Sequence, residues 1–142
     1  MSAYDPDNIF AKVLRGEIPS HRVFEDDTIL VMMDIFPQSR GHTLVIPKEP
    51  SRNMLDAEPE AVAKVARYLP GLSRAVMAAT KADGLRLMQF NEVPSGQTVF
   101  HLHFHLIPVY AGLELGRHAS AGRADDADLA ALAKAIATEL GA

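Results

Sequence analysis

The chain has 142 residues, 48% hydrophobic and 23% charged. That excludes a disordered or fibrous protein and predicts one domain, residues 1–142, with a real core. Fourteen Lys and Arg against eighteen Asp and Glu give a formal net charge of −4, which argues against a broad basic surface gripping nucleic acid. Cysteine is absent, excluding disulfides, thiolate catalysis and Cys-ligated zinc. No apolar run approaches the ~18 residues of a membrane span, and the first residues carry neither a basic nor an apolar leader region, so a cytoplasmic protein without a membrane partner is expected.

Ile9, Phe10, Val13 and Leu14 fall at helical spacing and stop at Gly16, which predicts a short N-terminal helix. Two short apolar runs between Val23 and Met33 flank Glu25-Asp26-Asp27 and predict a β-hairpin. His42 to Pro47 reads as a buried strand that the proline terminates. From Ala57 to Ala79 the period becomes helical through Val62, Val65, Leu69, Leu72 and Val76. Pro70-Gly71 predicts a kink or break inside that helix, since Pro70 has no N–H for the carbonyl of Ala66. Leu85–Phe90 reads as a strand, 91–96 as a turn, and Thr98–Val109 as a long strand. Asp125-Asp126 can cap a last helix carrying Leu129, Leu132, Ile136 and Leu140 on one stripe. That stripe must cover either its own sheet or a partner subunit's. Helices segregated from an antiparallel sheet make the class α+β.

The informative segment is Gly96-Gln-Thr-Val-Phe-His101-Leu-His103-Phe-His105-Leu-Ile-Pro108. On a strand, His101, His103 and His105 share one face, while Phe100, Leu102, Phe104 and Leu106 share the other and must lie on the core. Three satisfied structural histidines are one reading. A metal site, with His42 as a further ligand, is a second, although no Asp or Glu stands on the same strand. Nucleophilic and acid–base catalysis by imidazole is a third.

The run His101-Leu-His103-Phe-His105-Leu-Ile resembles the alternating signature of the histidine-triad (HIT) superfamily, and its nucleoside-phosphoramidase (Hint-like) branch in particular. Asp34-Ile-Phe-Pro-Gln38-Ser-Arg-Gly-His42-Thr-Leu-Val-Ile-Pro-Lys48 and Asn8 to Pro19 agree in order, so the resemblance covers about residues 7–109, with 111–142 an extension. It implies an antiparallel sheet with a long helix on one face. It also implies a hydrolase or transferase that cleaves purine nucleotide conjugates at the α-phosphate through a nucleotidyl-histidine, with no cofactor. His103 matches the family nucleophile; imidazole, with an ordinary pKa of about 6.5, suits that role at neutral pH. His105 matches the histidine that contacts the α-phosphate, His101 the one that orients the nucleophile, and His42 the fourth histidine. Gln97 and Thr98 match polar residues near the leaving group, and Asn91 and Gly96 the phosphate loop. Asp34 matches the ribose-binding carboxylate, and Ile9, Phe10, Met32, Ile35 and Leu44 the purine walls. A homodimer is expected from the family and from the long amphipathic helix and sheet edge.

Three departures stand out. Relatives with zinc carry Cys-x-x-Cys where this chain has Asn8 and Ala11, so no such metal site is expected. Val93-Pro94 replaces the usual glycine-rich sequence, and Pro70-Gly71 interrupts the long helix. Four functions stay open: phosphoramidate hydrolysis, diadenosine polyphosphate hydrolysis, a purine-nucleotide binding or regulatory module, and metal-dependent hydrolysis, which would need a bound ion. Arg117, His118 and Arg123 form a basic cluster in the extension, readable as a solvated loop or as a selector of leaving groups.

Overall fold

The computed structural model describes residues 3–115 and 122–141. Its elements run α1 (Ile9–Leu14), β1 (Arg22–Glu25), β2 (Ile29–Met33), β3 (Thr43–Pro47), α2 (Pro59–Ala66), α3 (Leu69–Thr80), β4 (Gly84–Met88), β5 (Phe104–Val109) and α4 (Asp126–Leu140). The strands form one sheet in the order β1-β2-β3-β5-β4, every neighbouring pair antiparallel. The α+β class and the expected order of elements both hold.

Period-two alternation divides the core. Ile29, Val31, Met33 and Val45 face a layer built by Val65 of α2, Leu72 and Val76 of α3, and Leu129, Leu132 and Ile136 of α4. Leu30, Met32, Leu44 and Ile46 face the other way, onto Phe10 and Val13 of α1. The stripe of α4 therefore covers its own sheet. Asp125 caps α4 by accepting from the Asp128 amide at 3.2 Å, and the Ala124 amide donates to the Ile35 carbonyl at 2.8 Å. The C-terminal extension is thus tied to the loop after β2.

The long helix is two helices. α2 ends at Ala66 and α3 begins at Leu69 with Pro70 in its first turn, the position where a missing N–H costs least. The break falls at Arg67-Tyr68, both still in right-handed helical geometry, because Pro70 has no N–H for the Ala66 carbonyl and its ring crowds that oxygen. Lys81, with φ 55°, then closes α3 in left-handed geometry.

The histidine strand is shorter than its alternation predicts. Regular pairing begins at Phe104, and His101 and His103 lie in irregular backbone ahead of it. The register pairs Val45 with Phe104, so continuation would put Pro47 opposite Leu102, where proline has no N–H to give. The Leu102 amide donates instead to the Ser51 carbonyl at 2.9 Å. Alternation survives the loss of the ladder: Leu102, Phe104 and Leu106 enter the helix-side core. Phe100 does not, and its ring lies beneath the Arg52 guanidinium, 4.1 Å from the ring centroid.

Candidate active site

Hydrogen bonds set the protonation pattern of all four histidines near the sheet centre. His103 Nδ1 lies 2.7 Å from the His101 carbonyl. A carbonyl only accepts, so Nδ1 carries a proton, and in a neutral ring Nε2 is then the unprotonated nitrogen. His101 Nε2 lies 2.7 Å from the Pro47 carbonyl and so carries its proton, and the Tyr4 hydroxyl donates to His101 Nδ1 at 2.7 Å. Burial pushes the His101 pKa down, opposed by the bond to Pro47. The Gln38 amide donates to His42 Nδ1 at 3.0 Å, which leaves the proton on Nε2. That nitrogen sits 2.9 Å from His105 Nδ1 and 3.5 Å from Asp34 Oδ2. His105 Nδ1 is then an acceptor, and its own proton is on Nε2.

The rings of His103 and His105 meet edge to face with centroids 4.8 Å apart, and Phe10 stands edge-on to His103, also at 4.8 Å. These three side chains close one wall of a cavity of about 290 Å³. Of the residues read from the sequence, Ile9, Phe10, Met32, Asp34, Ile35, Leu44, Thr98, His103 and His105 line it. Most of the wall is apolar, with Asp34, Thr98 and the two histidines as polar points. Asp34 Oδ1 accepts from the Phe36 amide at 2.8 Å, and the Asp34 amide donates to the His42 carbonyl at 3.0 Å. Gly41, with φ +93°, precedes His42; a Cβ there would fall 2.5 Å from a Thr80 methyl, so the approach of this loop to α3 requires glycine.

Gln97, Asn91, Gly96, His42 and His101 stand behind the cavity wall rather than on it. The Gln97 amide nitrogen donates to the Arg52 and Val99 carbonyls at 2.8 and 3.0 Å. Its oxygen accepts from Asn53 and from the Glu92 amide at 3.0 and 2.8 Å. All its hydrogen-bonding capacity is spent on protein, so Gln97 braces the 91–96 loop. Asn91 likewise accepts from the Met54 amide at 2.9 Å. Glu92 has φ 72° and ψ 160°, a conformation nearly confined to glycine that costs roughly 1–3 kcal/mol. Arg52 grips its carboxylate through two bonds of 2.8 and 2.9 Å and holds its pKa below the usual range. Gly96 follows at φ +112°. Val93-Pro94 thus sits in a braced 3-10 turn.

A protein-family model, the HIT domain, matches residues 15–112. The chain belongs to the HIT family. A HIT-like protein of Bartonella henselae, described as involved in cell-cycle regulation, superposes with a TM-score of 0.89 at 50% identity, covering 96% of this chain and 99% of that one. A hypothetical histidine-triad nucleotide-binding protein of Sulfolobus tokodaii superposes at 0.85 with 31% identity, covering 93% and 91%. The adenylylsulfatase HINT3 of Arabidopsis thaliana is 36% identical over 123 residues, 82% of this chain and 62% of the plant protein, so the match spans less than two thirds of that relative. Membership brings nucleotide-binding hydrolase or transferase chemistry in general, with a Hint-like resemblance.

The positions where zinc-binding HIT relatives carry Cys-x-x-Cys do other work in this HIT protein. Asn8 caps α1 by accepting from the Ala11 amide at 2.9 Å, and Ala11 is buried. Asp34, His42 and His105 bring three ligand-type atoms within 4.8 Å of one another, but the Gln38 amide disfavours an ion there. Binding through His42 Nε2 would move the proton to Nδ1, donor against donor. Tyr4, Pro47, Arg52 and Asn53 escape a sequence reading because each acts across the fold, Tyr4 on a residue 97 positions away, while Gln38 acts locally, through its backbone amide on His42. Of the basic cluster, Arg117 and His118 lie outside the described residues. Arg123 pairs with Asp126 at the start of α4, at 2.8 Å. Among the described residues, no helix is long and apolar enough to cross a membrane.

Proposed function

We propose that this HIT protein cleaves purine nucleoside phosphoramidates and related mixed anhydrides at the α-phosphate, through a nucleotide bound covalently to His103. The observation that carries the reading is the His103 Nδ1 bond to the His101 carbonyl at 2.7 Å, which leaves the ring's basic lone pair on Nε2 beside His105 at the cavity wall. His103 Nε2 attacks phosphorus, the N–P bond forms and the bond to the leaving amine breaks. The ring becomes cationic and its Nδ1–H bond to the carbonyl strengthens. The His105 Nε2–H donates to a non-bridging oxygen. Thr98, on the cavity wall, relays a proton from solvent to the departing amine, and the proton that the second-step water loses returns to solvent. Water then attacks the nucleotidyl-histidine and His103 leaves as the neutral ring. Asp34 accepts the ribose hydroxyls, and Phe10, Ile35 and Leu44 enclose the purine.

The relative named an adenylylsulfatase supports the adenylyl-anhydride side of this reading. His101, His42, Gln97 and Asn91 support the reacting groups from behind. The chain acts as a homodimer in this reading, since β4 is an outer strand of the sheet and its Leu87 is 51% exposed; the mass of one chain in sedimentation refutes that part.

The test is side-by-side turnover of adenosine phosphoramidate and diadenosine tetraphosphate by the parent and by His103→Asn. The reading expects faster phosphoramidate turnover and a loss of several orders of magnitude in the variant, with AMP affinity kept within about tenfold. Preference for the dinucleotide makes the protein a diadenosine polyphosphate hydrolase. Tight AMP binding without turnover of either makes it a nucleotide-binding module.

A further inference from the structure

We propose that Tyr4 is a positioning residue for this reaction, the outer end of a hydrogen-bond chain that runs through His101 to His103. The inference rests on the proposed role of His103. Three bonds of 2.7 Å meet at His101: the Tyr4 hydroxyl donates to its Nδ1, its Nε2–H donates to the Pro47 carbonyl, and its own backbone carbonyl accepts from His103 Nδ1–H. His101 is 1% exposed, and its ring is held at both nitrogens. Pro47 can only accept, so the neutral ring must present a lone pair at Nδ1, and only a donor such as a hydroxyl satisfies it. The two rings also meet near edge-on, with centroids 5.6 Å apart.

Tyr4 precedes residues 15–112, the part of the chain that the family model matches. It is held in place by its own segment: Arg15 donates to the Pro6 carbonyl at 2.6 Å, and the Asn8 side chain donates to the Asp5 carbonyl at 2.7 Å. The residues before α1 are therefore a strap that delivers one phenol to the back of the histidine segment. With the imidazole of His101 fixed at both ends, its backbone carbonyl is fixed too, and that carbonyl selects the Nδ1–H form of His103. Without the phenol, His101 loses one anchor and the carbonyl its fixed aim. His103 then spends part of its time with the proton on Nε2, where it cannot attack phosphorus.

Tyr4→Phe keeps the ring contact and removes the donor. In the full chain, with thermal unfolding followed alongside, the substitution lowers kcat on adenosine phosphoramidate about tenfold and leaves KM within twofold. In a His101→Gln background the same substitution changes kcat by less than twofold. Nitrogen NMR of the ring sites reads the cause: the parent holds His103 in the Nδ1–H form alone, and Tyr4→Phe shows a second form protonated at Nε2. A kcat within twofold of the parent overturns the proposal, as does an equal loss in both backgrounds or an unchanged His103 tautomer. If Tyr4→Phe does not fold, 3-fluorotyrosine at position 4 keeps the shape while strengthening the donor. The His101 Nδ1 resonance must then move, and an unmoved resonance overturns the proposal. The NMR arms read the chain of bonds even in a protein that hydrolyses no phosphoramidate, so failure of the substrate reading is distinguishable.

Discussion

His42 Nε2 lies 2.9 Å from His105 Nδ1, and the proton between them belongs to His42, because the Gln38 amide already occupies His42 Nδ1. This one backbone donor sets the tautomer of two histidines and leaves His105 with its N–H on Nε2. His42→Ala removes the donor that enforces this form. Turnover should fall about ten- to a hundredfold, equivalent to about 1.4–2.7 kcal/mol of barrier, with KM nearly unchanged. Steady-state kinetics of the variant check it; a change confined to KM assigns His42 to substrate binding instead.

Asp34 is 5% exposed and lines the cavity near Ile35. In the proposed role, two charge-assisted bonds to ribose hydroxyls would contribute about 1.5–3 kcal/mol each before desolvation. Asp34→Ala should therefore weaken ribonucleotides far more than their dideoxy counterparts in calorimetric titration. Equal losses for both give the carboxylate another task, such as its bond to the Phe36 amide.

Sequence periodicity carries a reader to the sheet, the helix layer and the pairing of His103 with His105, because burial enforces alternation even where the ladder fails. Pro70 marks the helix break through its missing N–H, though the break itself falls at Arg67-Tyr68. The shortened β5 is harder to foresee, since Pro47 acts on it from another strand. Tyr4 and Asn53 are harder still. Each is an ordinary polar residue whose role exists only once distant chain segments meet, Asn53 with Gln97 across 44 positions. The same holds for Gln97, which a motif places near substrate and the fold engages fully with its own loop.

His101 makes stability depend on pH. Burial lowers its folded-state pKa below the ordinary value of about 6.5. Below about pH 6.5 the unfolded chain binds a proton that the folded chain refuses. The stabilisation is complete above that pH and is lost as pH falls toward the folded-state pKa, by at most about 1.4 kcal/mol per unit. Urea midpoints of the parent should therefore drop more steeply between pH 7 and 5 than those of His101→Gln. Parallel curves contradict a neutral buried ring.

The C-terminal helix should behave as core. Ile136 of α4 is fully buried in the core between the helices and the sheet, so Ile136→Ala should cost about 2–5 kcal/mol. The exposed Arg40–Asp128 pair at 2.9 Å should contribute less than about 1 kcal/mol. Because α4 covers its own chain, the Ile136 loss should not vary with protein concentration in thermal melts; a concentration-dependent loss places the helix in a subunit contact.

The central claim is that His103 becomes covalently attached to the nucleotide, and stereochemistry at phosphorus tests it most directly. A P-chiral adenosine phosphorothioamidate is hydrolysed in heavy-oxygen water and the configuration of the resulting thio-AMP is determined. Two in-line displacements, one by His103 and one by water, predict overall retention. Inversion means that water attacks phosphorus in a single step, and it contradicts the account.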